Sequence, residues 1–492
     1  MKKIVLIYPG GKNIGDISMP LPLLLLAKPL IDNGYEVRAL DSRVEDYEKL
    51  NYEDFLYAGI STMSGDQLSY ALEISRYIRR KFPELLLIWG GPHPTLVPEQ
   101  TAKSKLVDLV VRGEGEETLL ELTEKIEKGE NWESVKGITF EKEDKIVSNP
   151  PRKFLEIDNV THLPYHLFRL DAYPNLKYKF EYFSSKGCPH NCGFCSNVAN
   201  SGRTWRAKSP EVVIVELEQI VKNIRPERIA FVDANFFVDK KRVERICQLL
   251  IEKNWPVTFN AMCRCDYMDG YDDSFMELLR DAKFNELWLG AESGSKRVLE
   301  FMEKGITPEQ VINARQKCVR YGVRPIFSFI IGIPTETKEE FARSLELYDK
   351  ILSMDPYAVI NGIFVFTPFP GAPLTKFVET KYNYQQPKYL EEWKSWKWSS
   401  TNYAVWIDKK TQSQYETVSA ISRFNYVRQL MRIWPAEERR KRIGSFFFVL
   451  ISQILLFIFG IMAVLRWKFR FFKYGIEWKL WTMILERFKG NK

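Results

Sequence analysis

Two long stretches of this chain alternate short, wholly apolar runs with helical patterns, and this alternation restricts the folds it can adopt. In the first stretch the runs "KKIVLIYPG", "FLYAGIST" and "LLLIWGGPHP" carry no regular polar positions. Such runs are typical of strands that are buried on both faces of a parallel sheet. An amphipathic pattern, "PLPLLLLAKPLIDNG", follows the first run. Residues 1–140 are therefore predicted to form a parallel α/β domain.

The second stretch, residues 176–375, contains about six further strand–helix units, which indicates a full or partial β/α barrel. A segment rich in proline and charge, residues 141–175, separates the two stretches and is interpreted as a linker. Barrels of this kind carry their chemistry where the strands end. Four polar residues fall at such predicted strand ends: Asp233, Arg264, Glu292 and Thr335.

The motif "GCPHNCGFCSN" brings three of the seven cysteines, Cys188, Cys192 and Cys195, close together in the sequence. Structural zinc prefers four closed ligands, and His190, inside the loop itself, would be an awkward fourth ligand. Three thiolates can instead hold a 4Fe–4S cluster with one iron left open. The spacing therefore favours a cluster whose open iron receives a small molecule with an amine and a carboxylate. A structural metal site and buried thiols without a metal are the alternatives.

The cysteine motif resembles the signature of radical S-adenosylmethionine (SAM) enzymes, with Phe194 as the aromatic residue before the last cysteine. Two later segments, "LGAESGSKRVLEFMEKGIT" and "FIIGIPTET", extend the resemblance. In that family the methionine part of SAM binds the open iron, and reductive cleavage yields a 5′-deoxyadenosyl radical. The resemblance implies that the three cysteines hold the cluster and serve catalysis. It also assigns five residues to SAM: Phe194, Arg264, Glu292, Ser293 and Gly332.

The first domain resembles the cobalamin-binding, Rossmann-like domain that is fused to one branch of these enzymes. The segments "GISTMSGDQL", "WGGPHPTLVPE" and "DLVVRGEGEETLLEL" carry this resemblance. It implies cobalamin contacts at the strand-end turns, from Ser61, Gly90, Gly91, His93, Gly113, Glu114 and Gly115. The first loop, "GGKNIGDISMP", lacks the histidine that other cobalamin proteins supply to cobalt. No histidine ligand is therefore expected from this loop.

The C-terminal part is predicted to be an aromatic extension, residues 376–440, followed by a helical membrane anchor, residues 441–492. The run 443–465 has no charged residue in 23 positions, enough to cross a bilayer core of about 30 Å. Aromatic and apolar residues then recur with the spacing of one helix face: Trp467, Phe471, Tyr474, Trp478, Trp481, Leu485 and Phe488.

Charge favours one arrangement of this anchor and excludes one class of partner. Residues 437–492 contain twelve Lys and Arg against four Asp and Glu, and the net charge of the whole chain is +8. The rest of the chain is thus neutral, and no nucleic-acid partner is expected. Export of a basic tail is disfavoured, so a monotopic anchor on anionic lipids is favoured over a single span.

The cysteine count and the N-terminus predict where the protein acts. Seven cysteines in 492 residues are too few for a disulfide framework, and the chain begins directly with a strand-like segment. The thiols are therefore expected to be reduced and cytoplasmic. With the basic tail, this predicts a location on the cytoplasmic face of a membrane.

The resemblance implies a membrane-associated, cobalamin-dependent radical SAM enzyme that methylates an unactivated carbon of a hydrophobic substrate such as a lipid, terpenoid or tetrapyrrole. A donor such as flavodoxin or ferredoxin would supply electrons. Oxidative ring formation, as in the anaerobic magnesium-protoporphyrin monomethyl ester cyclases of the same branch, is the close alternative. A non-catalytic iron–sulfur or cobalamin sensor on a membrane is the alternative from another class.

Overall fold

The computed structural model describes residues 3–11, 17–159, 162–354, 357–433 and 462–472. It contains a seven-stranded sheet followed by a six-stranded sheet. The two α/β units predicted from the sequence are therefore both present, in the predicted order.

The first domain is the seven-stranded sheet, with strand order β2-β1-β3-β4-β5-β6-β7. Its first five strands are parallel, and the last two add an antiparallel hairpin. The sheet thus continues to Ser148, beyond the predicted boundary at residue 140, because the start of the supposed linker forms this hairpin. The strands are β1 Lys3–Tyr8, β2 Glu36–Asp41, β3 Phe55–Ser61, β4 Leu86–Gly90, β5 Leu109–Val111, β6 Ile138–Lys142 and β7 Lys145–Ser148.

Helices cover both faces of this sheet, which explains why its central strands do not alternate polar with apolar residues. In β1, Ile4 and Leu6 pack into the core on one face, whereas Val5 and Ile7 pack into the core on the other. The helices are α1 Leu21–Asp32, α2 Asp66–Lys81, α3 Pro92–Leu96, α4 Pro98–Ala102 and α5 Glu116–Lys128.

The strand order reverses between β1 and β3, and open α/β sheets bind ligands at the carboxyl ends of the strands on either side of such a reversal. The turn from β4 into α3 requires a glycine. Gly91 has φ +95°, and a Cβ there would lie 2.7 Å from the Thr62 carbonyl oxygen. The backbone of this turn therefore approaches β3 more closely than any other residue would allow.

The second domain is a partial barrel of six parallel strands, in the order β15-β14-β13-β12-β11-β8. The strands are β8 Lys179–Tyr182, β11 Arg228–Phe231, β12 Thr258–Cys263, β13 Phe284–Glu292, β14 Arg324–Ile331 and β15 Val359–Val365. The helices are α7 Pro210–Asn223, α8 Lys240–Lys253, α9 Cys265–Gly270, α10 Asp273–Asp281, α11 Lys296–Phe301, α12 Pro308–Arg320, α13 Lys338–Ser353 and α14 Pro373–Tyr382. A short antiparallel pair, β9 Ser185–Gly187 and β10 Trp205–Ala207, flanks helix α6 Asn197–Ser201.

The C-terminal extension contacts both domains. Trp393 Nε1 donates to Gln100 Oε1 at 2.6 Å, and Trp393 is buried against the first domain. Farther along, helix α15 Lys409–Ile433 covers β15, the last strand of the open barrel. The amide of Ile363 on that strand donates to Ser422 Oγ at 2.9 Å. The extension therefore joins the two domains and satisfies part of a free sheet edge.

The predicted membrane anchor lies largely outside the described residues, because only 462–472 of it is described. These residues include a short helix, 462–468, here called α16. Its Trp467 is buried against Tyr348 of α13, and the indole donates to Asp349 Oδ1 at 2.6 Å. None of the described helices is long and apolar enough to span a bilayer.

The predicted aromatic stripe is therefore wrong at its start. Trp467 faces the barrel, and α16 ends before Arg470, which has a positive φ of 51°. Phe471 thus does not continue the helix that carries Trp467. The other members of the stripe, from Tyr474 to Phe488, lie outside the described residues.

Candidate functional site

The three cysteines lie in the loop that follows β9, at the carboxyl ends of the barrel strands. Cys188, Cys192 and Cys195 are free and half-buried. Backbone contacts fix the loop: Gly193 N donates to the Met302 carbonyl at 2.7 Å. Burial raises the pKa of the Cys188 and Cys195 thiols, while the backbone N–H groups of His190 and Asn197 favour their charged forms.

Two cations converge on the middle cysteine. Arg264 Nη1 lies 3.7 Å from Cys192 Sγ, and Arg264 also donates to the Lys304 carbonyl. Lys304 itself is buried. Burial alone would lower its pKa, but the Glu292 carboxylate and the Cys192 sulfur raise it above the ordinary value. Positive charge beside a sulfur ligand stabilises its thiolate.

Glu292 ends β13, the fourth strand of the barrel, in a strained conformation. Its φ is +61°, and the strand register shifts between Gly290 and Glu292. The carboxylate turns inward and meets Lys304, with Oε1 2.8 Å from Nζ. Backbone strain of this kind persists only where surrounding contacts hold it, and it concentrates at functional sites. A side chain at Gly290 would collide with this carboxylate.

Lys304 is the residue of this site that the sequence did not reveal. It lies within "EFMEKGIT", twelve positions after Glu292, and no pattern of charge spacing marks it. Its proximity to Glu292 depends on the turn after α11. The only indication in the sequence was that Lys304 lies within the segment "LGAESGSKRVLEFMEKGIT", which resembles the SAM-contacting segment of the family.

The remaining residues assigned to SAM have different surroundings. Phe194 is half-buried with Lys304 Nζ 5.7 Å from its ring centroid. Gly332 has φ +73°, and its carbonyl accepts from Trp406 Nε1 at 2.9 Å. Ser293 is fully buried, and its Oγ lies 3.1 Å from Ser344 Oγ on α13. The Ser293 side chain therefore packs inside the barrel wall, and its contact with SAM stays a prediction.

Other candidate groups near the loop have structural partners. His190 Nε2 is 2.8 Å from Tyr267 Oη, and burial together with Arg264 lowers the His190 pKa to about 4. Cys263 is buried on β12, while Cys265 begins helix α9 rather than continuing the strand. Asp233 accepts from Ser184 N at 2.7 Å and so supports the strand that leads into the cysteine loop.

The first domain has a cavity of about 310 Å³ at the carboxyl ends of its strands. Its walls are apolar side chains from β1, β3, β4 and β5, and glycine turns form its rim. Six of the seven residues assigned to cobalamin line it: Ser61, Gly90, Gly91, Gly113, Glu114 and Gly115. Lys186, on β9 of the second domain, lines the same cavity.

His93 is the seventh of those residues, and it does not line the cavity. Its Nδ1 is 2.8 Å from Ser64 Oγ, and its ring packs edge-on against Trp393 with centroids 4.8 Å apart. Burial lowers the His93 pKa to about 3. The imidazole is therefore neutral and enclosed under the C-terminal extension, and its contact with cobalamin stays a prediction.

Cobalt in the bound cofactor is expected to have no imidazole ligand from this protein. None of the four histidines of the chain lines the cavity. Electron paramagnetic resonance of the Co(II) form measures nitrogen coupling directly, and protein labelled with ¹⁵N-histidine separates protein imidazole from the cofactor's own base. A coupling pattern that changes with the label would contradict the expectation.

The three cysteines and the neighbouring carboxylates do not form a binding site for a single metal ion. Among the residues from 3 to 433 and 462 to 472 that the structure describes, no three His, Cys, Asp or Glu side chains form a group that could hold one metal ion.

Comparison with known families assigns both domains. Residues 182–348 match the Radical SAM superfamily, and residues 10–123 match the B12 binding domain. The first range covers the cysteine loop and most of the barrel. The second covers strands β2 to β5 of the first sheet and most of the residues that line its cavity.

Several known proteins match three quarters or more of this chain. An uncharacterised methyltransferase of Pyrococcus horikoshii is 30% identical over 76% of this chain and 83% of its own. The anaerobic magnesium-protoporphyrin IX monomethyl ester cyclase of Synechocystis is 23% identical over 80% of this chain and 84% of its own. The hopanoid C-2 methylase of Rhodopseudomonas palustris is 24% identical over 75% of this chain and 65% of its own.

One solved structure shows the same fold over nearly the whole chain. It is the cobalamin-dependent SAM radical enzyme OxsB with aqua-cobalamin and SAM bound, with a TM-score of 0.72 and 17% identity. The match covers 94% of this chain and 72% of OxsB.

The residues present fit the two metal cofactors in different ways. Three free thiols with backbone N–H groups and two cations beside them suit a cluster held by three thiolates. The first-domain cavity, about 310 Å³, is at the small end for drug-sized ligands. It would therefore take only one part of cobalamin.

Proposed function

Because the chain belongs to the cobalamin-dependent radical SAM methyltransferase family, we propose that it methylates an unactivated carbon of a hydrophobic substrate. The family makes it an enzyme whose cofactors are a 4Fe–4S cluster, SAM and cobalamin, and which needs a reductant. When bound, the cluster with SAM supplies hydrogen-atom abstraction, and cobalamin supplies methyl transfer.

One observation carries the proposal: the two sites are adjacent. Lys186 lines the first-domain cavity, and it lies two positions before Cys188. A substrate carbon placed between the domains would therefore be near both sites. Holding reacting groups in such a fixed geometry is a large part of enzymatic rate enhancement.

The protein's own residues have separable roles in this scheme. Cys188, Cys192 and Cys195 would hold the cluster, and Arg264 and Lys304 place positive charge next to Cys192. Glu292 would hold SAM, because its carboxylate is fixed at the strand end by Lys304. The glycine turns around the cavity leave backbone groups open to cobalamin.

Anaerobic reconstitution of the full chain with lipid extract, followed by mass spectrometry, tests the proposal. A substrate that gains the mass of one methylene unit supports methylation. The cyclase relative makes oxidative ring closure the second candidate, and a loss of hydrogen without added carbon would favour it. Absence of SAM cleavage to 5′-deoxyadenosine by the reduced protein would indicate a non-catalytic sensor. The same assay with flavodoxin or ferredoxin identifies the donor.

We also propose that the protein associates with anionic lipids on the cytoplasmic face of a membrane. The described part of the C-terminal segment supports this. Helix α16 packs Ala463 and Trp467 against the barrel, whereas the opposite face, with Met462 and Leu465, is exposed. Phe469 follows on the same side and is 71% exposed. Cations Arg466 and Lys468 flank this apolar face, a combination typical of interfacial helices.

Replacing Phe469 by glutamate is expected to weaken binding of the full chain to vesicles with anionic lipid by about tenfold or more, because a buried aromatic side chain contributes roughly 1.5–3 kcal/mol. Sedimentation with vesicles at low and high salt measures this. Val215→Glu is the matched control, since Val215 is an exposed apolar residue on α7. Equal binding of Phe469→Glu and the wild type would contradict the membrane proposal and leave the methylation proposal intact.

A further inference from the structure

A partly buried cluster of charges joins the first-domain cavity to β9 and β10, the antiparallel strands on either side of the cysteine loop. Glu114, at the carboxyl end of β5, forms ion pairs with Arg206 at 2.7 Å and with Lys186 at 3.3 Å. Lys186 also pairs with Glu116 at 2.9 Å. Arg206 lies on β10 and Lys186 on β9. Two carboxylates of the first domain therefore hold both strands of a pair that belongs to the second domain.

The carboxylate of Glu114 is fully engaged by the protein. Oε1 accepts from Arg206 Nη2 and from Lys186, while Oε2 accepts from Leu155 N at 2.8 Å and from Arg206 Nη1 at 3.1 Å. A carboxylate has about four acceptor positions. Glu114 lines the cobalamin cavity, but its bonds leave it little capacity to hold an amide of the cofactor.

The β9–β10 strand pair couples the position of Lys186 rigidly to that of the cysteines. Gly187, between Lys186 and Cys188, has φ +82°, and a Cβ there would overlap the Thr204 carbonyl. The β9–β10 pairing is antiparallel, with Trp205 opposite Gly187. Movement of Lys186 relative to the cavity would therefore move the start of the cysteine loop with it.

We propose that Glu114 is a positioning residue that sets the placement of the cysteine loop relative to the cobalamin site. This rests on the proposed function, in which one substrate carbon must be reached from both sites. The charges are partly shielded from solvent, since the side chains of Glu114, Lys186 and Arg206 are 14%, 21% and 20% exposed. Ion pairs of this kind define orientation even where their net contribution to stability is small.

Pulsed electron paramagnetic resonance of the full chain, loaded with reduced cluster and Co(II) cobalamin, tests this. The magnetic interaction between the two centres reports their separation. Glu114→Gln is expected to broaden the distribution of separations by about twofold or more, because one neutral amide cannot hold two cations. Cluster and cobalamin contents should remain close to those of the wild type. Glu117→Gln is the matched control, since Glu117 lies three positions after Glu114, at the start of α5, and is 55% exposed, and it should change nothing.

Two outcomes would overturn the inference. An unchanged separation in Glu114→Gln with both centres loaded would show that Glu114 does not position the loop. Selective loss of cobalamin would show that Glu114 holds the cofactor instead. If Glu114→Gln does not fold, Arg206→Gln removes the same pair from the other side, and the same broadening is expected. The measurement needs no substrate, so failure to find a methylated product would not affect it.

Discussion

Replacement of Cys188, Cys192 or Cys195 by alanine is expected to abolish both iron–sulfur absorbance and SAM cleavage. Two thiolates hold a cluster poorly, and the described part of the loop offers no substitute, because His190 is committed to Tyr267. Anaerobic iron and sulfide analysis, visible absorbance and quantification of 5′-deoxyadenosine measure the effect. Neither iron–sulfur absorbance nor 5′-deoxyadenosine should be detectable in these variants.

The control for this prediction is Cys263→Ala. Cys263 is buried, and its thiol donates to the Arg264 carbonyl at 3.2 Å. Burial raises its pKa far above that of a free thiol, as is usual for an inert core cysteine. Iron content should be unchanged in this variant. A Cys192→Ala protein with full iron and full cleavage would refute the cluster assignment.

Replacement of Lys304 by methionine is expected to destabilise the barrel by about 3–5 kcal/mol, because it leaves the buried Glu292 carboxylate without its partner. The side chains of Lys304 and Glu292 are 9% and 7% exposed, so water cannot easily replace the lost ammonium. Urea unfolding of the reconstituted protein, followed by circular dichroism, measures the change. SAM cleavage should fall as well, since Glu292 would no longer be held in place.

A double variant separates charge from packing in this prediction. Lys304→Met with Glu292→Gln removes both charges, and it should recover most of the stability lost by Lys304→Met alone. SAM cleavage should stay low in the double variant. Lys296→Met is the surface control: Lys296 lies 3.9 Å from Glu300 and is 71% exposed, so the change should be below about 1 kcal/mol. A small effect of Lys304→Met alone would contradict the buried-pair interpretation.

The sequence predicted the architecture well where one local pattern determines one local structure. Strands without polar alternation must be covered on both faces, and Ile4 and Val5 indeed enter different cores. The cysteine spacing likewise constrains a single loop. Arg264 was predicted to lie at a strand end of the barrel, and the structure puts its guanidinium next to Cys192.

Features that depend on distant contacts were not predictable in this way. Lys304 meets Glu292 only through the turn after α11, and His93 is enclosed by a tryptophan 300 positions away in the chain. Residues 141–148 read as linker because a short exposed hairpin at a sheet edge has weak apolar alternation. The spacing of Trp467 is consistent with an amphipathic membrane helix. Its contacts with Tyr348 and Asp349, which the sequence does not indicate, show that it packs on the barrel instead.

The cover that α15 provides for β15 also has a consequence during synthesis. Strand β15 leaves the ribosome before Ser422 has been made, so its outer amides remain bare for several seconds at ordinary translation rates. The nascent chains on one polysome expose the same unpaired strand edge close to one another, and this proximity favours strand pairing between chains. Slow translation between Val365 and Ser422 would lengthen this interval, and codon choice in that part of the message should therefore affect the yield of soluble protein.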